Sequence, residues 1–369
     1  MRILISGYNG FIGKHLTRAL KANNEVFSYK FLEKKDFKSV SNLQKKILQD
    51  DCIFHFAGIN RSKLDDEVYK KNEEINLKLF EALNNISFKG KLFFTSSTQE
   101  TKNTPYGKSK RNARIRFLDQ SSELGYSFHG LMLPNVFGPF CKPNYNSFIA
   151  TFCNNTILNK PSIIHNDEQI SLIYVGDLIE EFIESLKTNK NISLDKMIYK
   201  RKVSEVLSTI QNFHNEYIIS GNFPNLDSSF DLKLFNTFRS YIDFQAYFPR
   251  YYKKYSDERG EFTELIRTLS KGQSSFSTTK TGITRGNHYH TRKIERFSVI
   301  KGQAKIQIRE ILSDKVIDFH LDGESPSYVD IPIWFTHNIT NIGKEDLITV
   351  FWINEHYSEK TPDTYIEIV

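Results

Sequence analysis

Two stretches of this chain carry residue types and spacings that could do chemistry. Residues 286–302 read GNHYHTRKIERFSVIKG, placing His288 and His290 two apart and Glu295 shortly after, ahead of an apolar run rich in β-formers. Alternate residues of a strand point to one side, so both imidazoles of such a pair face the same way, and with a carboxylate they make a metal-type cluster. The second stretch, TPYGKSK, holds Tyr106 and Lys110. On a helix that spacing brings both side chains to one face, where an ammonium can lower the phenol's pKa and hold a cofactor's ribose. A tyrosine so tuned can hand a proton to a carbonyl oxygen as hydride reaches the carbon.

The elements around Tyr106 fit that chemistry. RILISG is a short β-rich run ending in glycine, and FIGKHLTRALKAN after it has helical spacing through Ile12, Leu16 and Leu20. The turn between them carries Gly7, Gly10 and Gly13, which let the backbone approach a pyrophosphate. The helix start at Phe11 and Ile12 then offers free N–H groups and a positive dipole end. Glycine-rich turns also occur where helix and strand merely pack closely. The next strand, EVFSYK, is expected to end near Tyr29 and Lys30, with no carboxylate until Glu33. A cation there favours NADPH over NAD, with Lys30 as the candidate partner of the 2′-phosphate or, alternatively, an ordinary surface lysine. CIFHFAG (52–58) and KLFFTSST (91–98) read as further buried strands with amphipathic segments between them, a βαβα pattern with a parallel sheet.

Composition sets the frame. The chain has 369 residues, long for one core at about 150 residues per domain, so two domains are expected. Hydrophobic residues make up 39% and aromatics 14%, enough for packed cores rather than disorder. A net charge of +7, spread along the sequence, suits anionic small molecules as well as nucleic acid and argues for neither. Cys52, Cys141 and Cys153 lack CxxC spacing, so free thiols in a reducing compartment are expected. MRILISG has no signal-peptide character and no run is apolar enough to span a bilayer, which gives the expectation of a soluble, cytoplasmic protein without membrane or nucleic-acid partners.

With those pieces in place, the first part of the chain resembles the extended short-chain dehydrogenase/reductases that act on sugar nucleotides. The matching pieces are Gly7, Gly10 and Gly13; HFAG at 55–58; Asn76 in EINLKLFEAL; the SST triplet; Tyr106 and Lys110; PNVFGP at 134–139; and YVGDL at 174–178. The resemblance implies cofactor contacts from Ala57, Gly58 and Asn76, and a substrate-carbonyl hydrogen bond from Ser97 or, less directly, Ser96 or Thr98. One departure is GLMLPN, where the family usually has an arginine shortly before P-N-x-F/Y-G. The stretch FCKPNYNSFIATFCNN adds Lys142 and Asn144 among aromatics, a mix suited to a sugar-nucleotide pocket or to a polar loop leading into a core helix.

Near Asp243 the pattern changes to short β-type runs with turn signals: SSFSTTK, ERFSVIKG, AKIQIREI, VIDFHL, YVDIPI, HNITNIG and LITVFWI. The expected domains are therefore 1–243, an NADPH-binding reductase domain with a doubly wound parallel sheet, and 244–369, a β-barrel. The second resembles a cupin: Gly282, His288, His290, Glu295 and Gly302 match the first cupin motif, and Pro332, His337 and Asn341 the second, with Pro326 and Trp334 standing where glycines are usual. By that resemblance His288, His290, Glu295 and His337 form the metal set, with Glu295 and His337 arriving from neighbouring strands. Zn2+ or another divalent first-row metal suits three imidazoles and a carboxylate, and the metal's identity stays open. DERGEFTE (257–264) is similar to the D-x-R-G-x-F signature of sugar-nucleotide 3,5-epimerase cupins, which would set Arg259 against an anionic substrate group; a turn stapled by Asp257 and Arg259 is the other reading.

The halves share a chemical theme. A 4-ketone acidifies the C3 hydrogen of a sugar; removing and returning that proton inverts C3 if the enolate is stabilised, and reduction at C4 fixes the result. The whole chain is similar to the bifunctional capsular-polysaccharide enzymes that epimerise C3 and reduce C4 of a UDP-linked 4-keto-6-deoxy-N-acetylhexosamine. That likeness implies NADPH, a zinc ion and a homodimer. The alternative is a single-function NADPH-dependent reductase whose cupin holds a structural metal or binds sugar. For the cupin's general base the candidates are a histidine not bound to metal, the metal's own water, or Lys293.

Overall fold

The computed structural model of the chain describes residues 2–23, 26–62, 64–188, 190–258 and 260–369. They form two compact units: residues 1–137, 141–148 and 167–202 in the first, and 138–140, 149–166 and 203–369 in the second.

In the first unit β1 (Arg2–Ser6), β2 (Ser28–Leu32), β3 (Cys52–His55), β4 (Lys91–Ser97) and β5 (Ser127–Leu133) make a parallel sheet in the order β2-β1-β3-β4-β5. Strands covered on both faces must be apolar on both, and β1 buries Ile3 and Ile5 in one core cluster and Leu4 in the other. The first unit's helices are α1 (Phe11–Ala22), α2 (Val40–Lys46), α3 (Asp65–Asn85), α4 (Pro105–Leu124) and, after α5 (Phe148–Ile157), which from Ile149 onward is grouped with the second unit, α6 (Val175–Thr188). Leu16 and Leu20 of α1 join Phe182 of α6 in the first cluster, while Leu79 and Leu83 of α3 join Ala113 and Phe117 of α4 in the second. A smaller sheet of β6 (Asn135–Phe137), β7 (Gln169–Tyr174) and β8 (Ile198–Lys202) completes this part. The strand order reverses between β1 and β3, and open α/β sheets bind ligands at the carboxyl ends of such a switch point. Those ends lead into the glycine turn after β1 and the HFAG loop after β3.

Besides α5, the second unit holds α7 (Val203–Phe213), α8 (Ser229–Arg239) and α9 (Phe244–Tyr247), followed by β9 (Arg250–Tyr251) and a hairpin of β10 (Lys254–Asp257) and β11 (Gly260–Thr263). Then come β12 (Gln273–Thr279), β13 (Thr284–Tyr289), β14 (Glu295–Lys301), β15 (Gln303–Glu310), β16 (Val316–Asp322), β17 (Ser327–Ile331), β18 (Phe335–Asn341), β19 (Leu347–Ile353) and β20 (Tyr365–Ile366). They form two five-stranded antiparallel sheets, β12-β19-β14-β17-β9 and β16-β15-β18-β13-β20, the cupin arrangement expected from the short alternating runs. Ala304, Ile306 and Ile308 of β15 alternate inward, as a one-sided core requires.

The units do not divide at Asp243: residues 203–243 belong with the cupin sheets. The reason is packing. Phe213 of α7 meets Phe235 of α8 edge-on at 5.1 Å, and Phe223 stacks on Trp352 of β19 at 4.3 Å. Arg296, fully buried, forms a bidentate pair with Asp330 at 2.7 and 3.0 Å, and Tyr217 Oη donates to the same carboxylate at 2.7 Å. The Arg296 guanidinium lies 3.8 Å from the Tyr328 ring centre and 4.6 Å from that of Phe223, so helix and sheet share one desolvated ionic knot. Among the described residues no helix is long and apolar enough to cross a membrane.

Candidate active site and metal centre

The glycine turn is built by close approach. Gly7 is left-handed (φ +66°), and a Cβ there would lie 2.7 Å from Ala57 N; one on Gly13 would lie 2.4 Å from Gly7 O. The turn after β1, the loop after β3 and the start of α1 are thereby drawn together. The first-turn amides of a helix have no intrahelical acceptor, and α1, which starts at Phe11, has no side-chain cap at Gly10. A pyrophosphate fits that open end. Gly7→Ala is expected to cost about 1–3 kcal/mol through overpacking in a left-handed position, read by chemical denaturation, and to weaken binding of a reduced nicotinamide cofactor in a fluorescence titration.

Beneath the turn lies a chain of hydrogen bonds not foreseen from sequence. Ser6 Oγ accepts from Phe56 N and Ala57 N at 3.1 and 3.2 Å and donates to His55 Nδ1 at 2.7 Å. His55 Nε2 then donates to Asn76 Oδ1 at 2.9 Å. Burial pulls the His55 pKa down to about 4, so the ring is neutral and fits this one-donor, one-acceptor role. Asn76 is thus engaged with His55 from below the loop that carries Ala57 and Gly58. Asn72, also unforeseen, accepts from Ile59 N at 2.8 Å and donates to Ile59 O at 2.9 Å, pinning the far end of that loop. Neither partner is near in sequence, and an asparagine on a helix gives no local signal.

β2 runs to Leu32, two residues past the expected end. Lys30 therefore sits in mid-strand opposite Leu4, and Leu32 and Glu33 occupy the carboxyl end. Phe31 and Leu32 supply the apolar continuation that carries the strand past the lysine. Glu33 pairs with Lys35 at 2.8 Å, which holds its carboxyl below the usual range.

Tyr106 and Lys110 lie on the first turns of α4, whose start is capped by Thr104 accepting from Gly107 N at 3.0 Å. Lys110 Nζ donates to Thr95 O at 2.8 Å, faces the Phe94 ring at 5.0 Å, and is 5.9 Å from the Tyr106 ring centre. A Cβ on Gly58 would come within 3.9 Å of the same amine, so Lys110 stands beside the HFAG loop. Burial lowers the Lys110 pKa to about 8. The phenol shifts opposite to the expectation: burial, with Tyr145 adding to it, pushes Tyr106 up to about 12. A phenol in that state keeps its proton, as a donor to a carbonyl oxygen must. Of the serines, Ser96 donates to Glu100, which Arg114 grips through Nε and Nη2, so Ser96 is committed. Ser97 Oγ accepts from Gln99 N at 3.2 Å and retains its own O–H to give.

Lys142 and Asn144 lie on the loop between β6 and α5. Lys142 Nζ and Arg61 Cζ lie 5.6 and 5.9 Å from the Tyr145 ring centre, and Asn144 is left-handed (φ +54°). Tyr145 is the residue whose field Tyr106 feels, so the loop reaches the phenol's surroundings. Arg61 was not foreseen. Arg259 lies outside the described residues.

In the second unit His288, His290, Glu295 and His337 converge, their ligand atoms all within 4.8 Å of one another. A register shift between Gly286 and His288, with Asn287 left-handed (φ +60°), sets His288 directly opposite His337 on β18. Glu295 opens β14 in the facing sheet, so it comes from across the barrel rather than from a neighbouring strand. His290 sits on the segment joining β13 to β14. His290 Nδ1 donates to Asp363 O and His337 Nδ1 to Phe335 O at 3.3 Å, which leaves both Nε2 atoms as lone pairs whenever the rings are neutral, as a metal ligand must be. Those two atoms lie 3.1 Å from Glu295 Oε2, yet all three are buried without an aligned hydrogen bond. Converging orphaned acceptors fit a divalent cation. Burial, reinforced by the neighbouring imidazoles, lowers His288 to about 4; the Glu295 carboxylate outweighs burial at His290 and raises it. Burial opposes the Glu295 anion, but His290 and His337 hold it well below the ordinary range. Lys293 is turned to Pro362 O and lies 3.8 Å from Glu355, an engagement that ties up the amine considered as a base.

Comparison with known proteins follows the same division. The model of the NAD dependent epimerase/dehydratase family matches residues 3–196, and that of the polysaccharide biosynthesis C-terminal domain matches residues 255–365. A curated relative from Pseudomonas aeruginosa, UDP-2-acetamido-2,6-beta-L-arabino-hexul-4-ose reductase, is 35% identical over 99% of this chain and 98% of its own length. The solved structure of capsular polysaccharide assembling protein CapF from Staphylococcus aureus is 31% identical and covers 100% of both chains with a TM-score of 0.63. The UDP-N-acetylglucosamine 4-epimerase of Methanobrevibacter ruminantium, 19% identical with a TM-score of 0.53, covers 65% of this chain and 97% of its own, and shares the fold. With one family matched over more than half its length and a reductase relative matched from end to end, the chain belongs to the NAD dependent epimerase/dehydratase family, in the form that carries a polysaccharide biosynthesis C-terminal domain.

Proposed function

We propose that this protein is a bifunctional sugar-nucleotide enzyme. Its cupin unit inverts C3 of a UDP-linked 4-keto-6-deoxy-N-acetylhexosamine, and its first unit reduces the C4 ketone with NADPH. The product is UDP-2-acetamido-2,6-dideoxy-L-talose, on the route to UDP-N-acetyl-L-fucosamine for capsule or O-antigen, made by a cytoplasmic homodimer that carries zinc. The observation that carries this reading is the coexistence in one chain of a proton-holding Tyr106 beside Lys110 with a convergent three-histidine, one-carboxylate cluster.

When bound, the nicotinamide supplies hydride and the divalent cation supplies Lewis acidity. The chain's own groups do the rest. Gly7, Gly10, Phe11, Ile12 and Gly13 hold the pyrophosphate; Ala57 and Gly58, braced by Asn76 and Asn72, line the cofactor; Lys110 holds its ribose. Lys30 remains the candidate cation for the 2′-phosphate, with Lys34 beyond the carboxyl end of β2 as a second candidate. Ser97 donates to the substrate carbonyl while Tyr106 delivers the proton to its oxygen. Lys142 and Asn144, joined by Arg61, meet the nucleotide's anionic groups, a role that Arg259 shares in the cupin unit. His288, His290, Glu295 and His337 hold the metal.

Incubation with the UDP-4-keto sugar in D2O without NADPH is expected to place deuterium at C3, and adding NADPH to give a single C4 alcohol by NMR. The relative's name mentions reduction alone, which favours a second reading, a reductase with a structural metal cupin. Absence of deuterium alongside normal NADPH oxidation would select that reading; absence of both reactions would reject the first proposal and the second.

A further inference from the structure

We infer that Asp363 is a positioning residue of the metal centre, holding the segment that must bring His290 and Glu295 to the same ion; this rests on the metal-binding reading above. Residues 290–294 connect β13 to β14 and lie outside every strand, so no ladder fixes their backbone. Thr291 N–H, Arg292 N–H and Lys293 N–H must find acceptors elsewhere.

All three find one side chain. Asp363 Oδ1 accepts from Thr291 N at 3.1 Å and from Thr291 Oγ1 at 2.6 Å, and Oδ2 accepts from Arg292 N and Lys293 N at 3.0 Å each. The carbonyl of the same residue accepts the Nδ1 proton of His290, which orients that ring with its Nε2 toward Glu295. Asp363 is 4% exposed and sits at φ +46°, a conformation costly for a side chain other than glycine and kept only where surroundings over-determine it. The residues after it extend the support. Ile366 pairs opposite His288, and Glu367 O accepts from Thr336 Oγ1, next to His337. One short segment thus backs three of the ligands, with Asp363 as its anchor.

The chemistry of the carboxylate matters as well as its size. Both oxygens accept from two donors, a demand an amide cannot meet. Asp363→Asn keeps one pair and sets an NH2 group against two N–H donors, whereas Asp363→Ala removes all four hydrogen bonds and the 3.7 Å ion pair with Arg292, and Thr291→Val removes only the hydroxyl's bond.

The full-length protein and these variants, stripped with chelator, are titrated with Zn2+ against a chromophoric competitor, and their Co2+ forms are read by d–d absorption. Asp363→Asn and Asp363→Ala are expected to bind Zn2+ roughly 10–100-fold more weakly, the scale of outer-shell partners, with altered cobalt bands. Thr291→Val should lose less than about tenfold. Wild-type uptake with unchanged Zn2+ affinity in Asp363→Asn overturns the inference alone, as does weaker affinity with an unchanged cobalt spectrum, which would mark general destabilisation. A wild-type protein that takes up neither metal overturns the inference together with the reading beneath it. Should Asp363→Ala not fold, the near-isosteric Asp363→Asn decides.

Discussion

Tyr106→Phe is expected to lower NADPH oxidation in the presence of the UDP-4-keto sugar by about 10²–10⁴-fold, the usual worth of a positioned general acid. The substitution removes one oxygen and leaves a ring that already packs within a buried setting, so folding and cofactor affinity should change little. Because burial holds the Tyr106 phenol protonated, at about 12, the group lost is a proton donor and the deficit should persist across neutral pH. Lys110 cannot substitute: its amine donates to Thr95 O and stands 5.9 Å from the ring. Exchange of the C3 hydrogen with D2O should survive in this variant, since the residues proposed for it lie in the other unit. Loss of both reactions in a well-folded protein would contradict the proposed division of labour.

The second large effect is expected from Glu295→Gln. The side chain keeps its volume at the start of β14 but loses the only carboxylate among the four converging ligands. Zn2+ affinity should fall by at least about 100-fold, beyond the usual effect of an outer-shell change, and C3 exchange should fall with it. NADPH oxidation by an already epimerised substrate should remain. The two imidazole Nε2 atoms now 3.1 Å from Glu295 Oε2 would face an amide. His290, whose pKa is raised by that carboxylate, should titrate lower, as ring-proton NMR of the metal-free protein can show. An unchanged metal content would remove Glu295 from the ligand set.

The sequence made much of this legible where a physical rule is local. The glycine turn, the alternating runs of the second unit and the Tyr106/Lys110 spacing each follow from neighbours a few residues apart. The rest depends on partners remote in sequence. Nothing in EVFSYK says that Phe31 and Leu32 continue the strand, which puts Lys30 in its middle rather than at its end. Residues 203–243 are amphipathic whichever sheet they cover, and only contacts such as Phe223 on Trp352 assign them to the cupin. The bulge at Asn287, which aligns His288 with His337, depends on pairing across 49 residues. Asp363 meets Thr291 over a separation of 72 residues, so a motif search centred on the histidines does not find it. Glu100 likewise pairs with Arg114 through the fold rather than through any repeat.

The thread of this polypeptide changes unit five times, with residues 138–140 and 149–166 grouped apart from the stretches that flank them. A single cut therefore cannot yield two self-sufficient fragments. Severing after residue 202 would leave the carboxyl-terminal piece without residues 149–166, and the amino-terminal piece with a helix stripped of its partners. Recombination that trades one half for a foreign counterpart would need to respect those crossings, so the two units are expected to travel as a single inherited gene rather than as interchangeable modules.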